Sequence, residues 1–156
     1  MYKKYICIKQ HDQKDCGVAC LATVSKTYGL KLQLSKIRDI SGTDSYGNNV
    51  YGLVKAAETL GFSAKAIKGT RENLLTEFPL PAIANVLTED GLQHYVVIHK
   101  IDKKKVVVAD PAKGIRKLSF DELKLRIGIE ACNHVDGTNI SVKSISDNDT
   151  PMLIFI

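Results

Sequence analysis

Tryptophan is absent from the 156 residues, while cysteine and proline occur four times each and methionine twice. The cysteines, Cys7, Cys16, Cys20 and Cys132, are too few and too scattered to scaffold a chain that is long enough to bury its own core. A reducing, cytoplasmic setting is therefore expected. No apolar run reaches the roughly 18 residues a membrane helix needs, and the start turns polar by Lys9-Gln10, so neither a membrane span nor a secretory signal is expected. Internal repeats, low-complexity tracts and a phosphate-cradling glycine loop are also missing.

What is present has a globular balance, with 44% apolar and 25% charged residues, and the length predicts a single domain over 1–156 with one core. The net charge of +5 does not point to nucleic acid, because the lysines are dispersed and the one short run, Lys103-Lys104-Lys105, sits between two strand-like segments as a solvated hairpin tip.

Apolar spacing divides the chain. Cys16 to Tyr28 carries Ala19, Cys20, Thr23, Val24 and Thr27 on one helical face, with Asp15 as the N-cap and Gly29 as the stop. A short helix follows Ser35 and closes at Gly42, and another carries Val50, Leu53, Val54, Ala57 and Leu60 before Gly61. Phe62, Ala64 and Ala66 alternate as a short strand, and Thr70 is placed to cap a helix bearing Leu74, Leu75 and Phe78. Beyond Pro81 the character changes to aliphatic runs, 82–87, 94–101, 106–109 and 115–118, separated by turn residues, which predict an antiparallel sheet. Ser119 and Glu122 form a capping box for one more helix, and a polar stretch, 129–150, separates it from a last apolar run, 152–156. The predicted class is α+β, with N-terminal helices packed on a C-terminal antiparallel sheet, the element order of papain-like cysteine hydrolases.

Four residues stand where that order needs chemistry. Cys16 falls in the first turn of its helix, where unpaired N–H groups and the helix dipole favour negative charge, and thiolate is the attacking form of cysteine. A cysteine on its own is more often a buried small hydrophobe, which is the reading kept for Cys20. A carboxylate at Asp15 would oppose the thiolate unless it is engaged elsewhere. Zinc on Cys16, Cys20 and a histidine does not match the usual ligand spacing, so no metal is expected. His94 begins a strand just after a turn and can reach a helix terminus, whereas His99 lies on the opposite strand face, and His11 and His134 fall in polar loops. Asp110 ends the neighbouring strand and could orient the imidazole, or simply organise the turn before Pro111. Gln10, in the loop before the Cys16 helix, could donate to an oxyanion or be an ordinary polar loop residue.

The string Gln10-His11-Asp12-Gln13-Lys14-Asp15-Cys16-Gly17-Val18-Ala19-Cys20 closely resembles the signature of the double-glycine, bacteriocin-processing peptidase domains of peptidase-containing ABC transporters. Tyr51-Gly52-Leu53, Leu60-Gly61-Phe62, His94-Tyr95-Val96-Val97 and Asp110-Pro111-Ala112-Lys113-Gly114 extend the resemblance over roughly residues 5–120. It implies a papain-like cysteine peptidase that removes a leader from a precursor peptide after a Gly-Gly type site, coupled to export. Position by position it makes Cys16 the nucleophile, His94 the general base and then acid, Asp110 the orienter and Gln10 the oxyanion donor, with no cofactor. It further implies a helical leader in an apolar groove, for which Val50, Leu53 and the loop before them are candidates. The membrane and nucleotide-binding parts of a transporter would be partners, placing the domain at the cytoplasmic face of the membrane. Relatives usually close with a tryptophan-containing segment, from which this chain departs. Two rivals compete with cleavage: a non-catalytic leader-docking domain, which retention of all four residues argues against, and a papain-like acyl transfer.

Overall fold

The computed structural model describes residues 4–42, 49–68, 79–126 and 152–155. The expected helix at Thr70, the polar stretch 129–150, Cys132 and His134 lie outside these residues.

A short 3-10 turn, Gln13–Asp15, leads into α1, Cys16–Thr27. One apolar face was predicted for α1, but every residue from Cys16 to Ser25 is buried. A helix buried all round belongs in the middle of a core, and α1 lies between the sheet and two further helices. These are α2, Leu34–Ser41, which ends on Gly42 in a left-handed conformation (φ 65°), and α3, Val50–Thr59. The Asn49 side chain caps α3 by accepting from the Gly52 N–H at 2.7 Å.

Gly52 also lets α3 approach α2, since a Cβ there would collide with the backbone carbonyl oxygen of Ser41. That atom cannot swing aside as a side chain could. Gly52→Ala is therefore expected to separate the two helices, to lower the unfolding free energy by more than the roughly 0.5 kcal/mol of an ordinary surface change, and so to lower the melting temperature. Thermal unfolding followed by circular dichroism checks this.

The strands are β1, Lys65–Lys68; β2, Ala82–Leu87; β3, Gln93–Ile101; β4, Lys105–Asp110; β5, Gly114–Ser119; and β6, Met152–Phe155. They form a six-stranded antiparallel sheet in the order β1-β6-β2-β3-β4-β5. The meander β2 to β5 follows the sequence order. The last apolar run does not extend it: β6 inserts between β1 and β2, pairing Ile154 with both Ala66 and Ile83. The lysine run forms the expected exposed hairpin tip, where Asp102 Oδ1 accepts from the N–H groups of Lys104 and Lys105 at 3.0 and 2.9 Å. The capping box holds too: Ser119 N–H donates to Glu122 and Glu122 N–H to Ser119 Oγ, opening α4, Phe120–Arg126.

Where one core was expected, two apolar clusters occupy the two faces of the sheet. The larger unites α1, α2 and α3 with Ile83, Tyr95, Val97 and Ala109. The smaller, beneath α4, holds Val86, Val96, Ile98, Val106, Val108, Leu118 and Leu123. Strand alternation assigns Tyr95 and Val97 to the first and Val96 and Ile98 to the second.

Candidate active site

α1 packs on β3 and β4, and its first residue sets the Cys16 thiol beside the His94 imidazole, near the start of β3. His94 and Asp110 share the strand parity of Val96 and Val108, so both project from the face opposite the main core. They meet Cys16 at the sheet's end, where the twisted strands stop and the helix terminus comes within reach.

His94 Nε2 lies 2.9 Å from Asp110 Oδ1. With that nitrogen donating to the carboxylate, Nδ1 is the one left for the thiol. Burial disfavours the imidazolium, but the hydrogen bonds to Asp110 and Cys16 and the two negative charges outweigh it, raising His94 to about 9. For Asp110, burial pulls upward, while the His94 hydrogen bond and the Ala112 N–H, 2.8 Å away, hold the carboxyl below its ordinary value. One oxygen, Asp110 Oδ1, both meets His94 Nε2 and accepts from the Ala112 N–H of the turn that follows.

Gln10 is anchored by its N–H, which donates to Pro111 O at 3.0 Å across the turn after β4. Its side-chain Oε1 is buried without a partner among the described residues. The two ends of an amide share one outline, and only hydrogen-bond partners decide which end points where. Gln10 thus brings an uncommitted amide to the cleft that His94 and Asp110 line.

Asp15 does not cap α1 with its side chain, as the sequence suggested. Its carboxylate is buried and gripped by both Nε and Nη2 of Arg38 on α2, with an Nε–Oδ1 distance of 2.6 Å. The Arg38 hydrogen bonds outweigh burial and hold the Asp15 carboxyl below the usual range. A negative charge next to the Cys16 thiol is thereby neutralised within the fold. Arg38 carried no local sequence signal, because the partner that gives it meaning lies 23 residues away.

Cys20 is fully buried, which pushes its thiol well above the ordinary value, in keeping with a packing role. Cys7, not singled out from sequence, sets its Sγ 3.4 Å from the Asp110 carbonyl and backs the end of β4. His99 serves elsewhere: its Nε2 contacts Ile6 O at 2.7 Å and its ring packs on Tyr5, fastening the N-terminal segment to β3. His11 is exposed. Val50 and Leu53, expected near a leader groove, are 8% and 1% exposed and belong to the main core. The α3 stripe that suggested them turns inward, while Tyr51, Lys55 and Glu58 form the exposed side of the helix. No cluster of potential metal ligands occurs among the described residues.

A helix-borne thiol facing a sheet-borne imidazole and carboxylate defines the class as a papain-like cysteine peptidase. The chain belongs to the Peptidase C39 family, whose family model matches residues 4–126. It is 46% identical over 112 residues to the lactococcin-G-processing and transport ATP-binding protein LagD of Lactococcus lactis subsp. lactis, covering 70% of this chain and 16% of LagD. The chain thus spans about a sixth of that relative's length. Its fold superposes on the peptidase domain of Streptococcus ComA, a bifunctional ABC transporter of a quorum-sensing pathway, with TM-score 0.76 and 26% identity over 97% of both chains. A double-glycine motif protease from an AMS/PCAT transporter, solved with its leader peptide, gives TM-score 0.71 at 30% identity, covering 79% of this chain and 85% of that one. Among the described residues no helix is long and apolar enough to cross a membrane.

Proposed function

We propose that this chain cleaves a precursor peptide after a Gly-Gly type pair, releasing a helical leader, as the peptidase part of a peptide exporter at the cytoplasmic side of a membrane. The observation that carries this reading is the relay Cys16–His94–Asp110 at the junction of α1 and the sheet, with the 2.9 Å His94–Asp110 contact at its centre. The leader-bound and export-linked relatives supply the substrate class.

In the proposed reaction the Cys16 thiolate attacks the carbonyl carbon of the second glycine. The oxyanion is held by the Cys16 N–H and the Gln10 amide, donors that gain strength only as charge develops. His94 gives its Nδ1 proton to the leaving amine, the C–N bond breaks and a thioester remains. Water then attacks the thioester while His94 takes one of its protons, the C–S bond breaks to return thiolate and imidazolium, and the leader leaves as a carboxylic acid that gives its remaining proton to solvent. Asp110 keeps the imidazole in plane throughout.

Mass spectrometry of products from a Gly-Gly leader peptide, under reducing conditions, tests the reading. Two fragments divided after the glycines are expected. Intact peptide that remains bound would replace it with a docking role. Gln10→Ala should lower kcat by roughly a hundredfold or more with a much smaller change in KM, because the lost donor acts on the transition state. Steady-state kinetics on the same peptide reads this split.

A further inference from the structure

The sheet face that carries His94 and Asp110 has a cavity of about 380 Å³ next to them, within the roughly 300–1,000 Å³ range of ligand-holding clefts. Val86, Val96, Val108, Leu118 and Leu123, all from the second cluster, form its apolar floor. His94, Asp110 and Gln10 border it, but no residue of α1 does, Cys16 included. The cavity therefore opens on the flank of the imidazole away from the nucleophile.

Chemistry assigns the two flanks to different halves of a peptide. The acyl half becomes bonded to Cys16 Sγ. The amine half receives its proton from His94, so its nitrogen must touch the imidazole and its chain must continue past it. A cavity that includes His94 but not Cys16 lies on the amine side.

Resting on the proposed cleavage, we propose that this cavity is a subsite for the first three residues after the scissile bond, and that it selects an apolar side chain flanked by an acidic one. Leu92 supports the apolar preference: it stands 65% exposed on the β2–β3 turn, at the lip of the cavity, as a large aliphatic side chain otherwise in water. The charge preference comes from the rim. Glu89 is occupied by Arg126 at 2.9 Å and Asp110 by His94, while Lys113 and Arg116 form no ion pair among the described residues. Arg116 also feels the Glu122 carboxylate at longer range, so Lys113 is the less compensated of the two; an acidic residue entering there meets both cations, and a lysine meets like charge. Specificity would then reside partly in the cargo and not in the leader alone.

The test uses the whole 156-residue chain and peptides with one Gly-Gly leader and different residues at the three positions after the glycines. Wild type should cleave a leucine- and aspartate-containing peptide at least about tenfold faster in kcat/KM than one with serine and lysine there. Arg116→Glu should reverse the aspartate-over-lysine ratio, and Leu92→Asp should shrink the leucine-over-serine ratio toward one. Each ratio is taken within one enzyme preparation, so partial unfolding cancels. Equal kcat/KM for all peptides, or ratios unmoved by both substitutions, would overturn the subsite while leaving the peptidase reading intact. Failure to cleave any leader peptide would overturn the peptidase reading and the subsite with it.

Discussion

Cys16→Ala is expected to abolish cleavage of a Gly-Gly leader peptide, by roughly a million-fold where a nucleophile acts as a unit with its base, while leader binding persists. The fold tolerates the change well. The Cys16 side chain is small and nearly buried, it makes no disulfide, and alanine fits the first turn of α1 without loss of backbone hydrogen bonds. What disappears is the sulfur and, with it, one of the groups that raise His94. The imidazole of the variant should therefore titrate below about 9, a shift that nuclear magnetic resonance of the ring protons reads directly. Turnover at the wild-type rate by Cys16→Ala would dismiss the thiol mechanism outright.

The second large effect is expected at Asp110. Replacement by alanine removes both the acceptor for His94 Nε2 and the acceptor for the Ala112 N–H, so imidazole orientation and the turn after β4 loosen together. Activity should fall roughly a thousandfold or more, in the range known for removal of the orienting acid of a triad. Asp110→Asn separates orientation from charge. Its Oδ1 can still accept from Nε2, so the loss of rate should be smaller, yet the imidazolium loses its neighbouring charge. For wild type, the alkaline limb of kcat/KM should lie near 9, because the reaction needs His94 protonated to expel the amine. In Asp110→Asn that limb should move down.

Linkage gives the same sign for stability. His94 is raised in the folded state from an ordinary 6.5, so its contribution is fully present below about 6.5 and is lost as pH rises through about 9. Denaturant midpoints across that window should fall in wild type and stay flatter in Asp110→Asn.

The local signals in the sequence proved reliable where one segment decides the outcome. The Ser119–Glu122 capping box, the Gly42 stop and the lysine hairpin tip each depend on residues within a few positions of one another, and each forms as expected. Periodicity was weaker where two faces compete. Val50 and Leu53 were rightly assigned to an apolar stripe, but only packing against α1 and α2 shows that the stripe is core and not groove. The placement of β6 between β1 and β2 was likewise illegible, since an aliphatic run carries its pairing partner nowhere in its own residues.

Sequence alone was enough to bring Cys16, His94, Asp110 and Gln10 forward as a set, because each residue type and its position on a helix start, strand or loop limits the chemistry it can perform. The tertiary structure decided their relations. It engaged Asp15 with Arg38 in place of a cap, joined Asp110 to His94 across two strands, and opened a cavity beside the imidazole on the face away from α1. Those outcomes depend on charges and side chains brought together from 16 and 23 residues apart, and such distances close only when the sheet and helices pack.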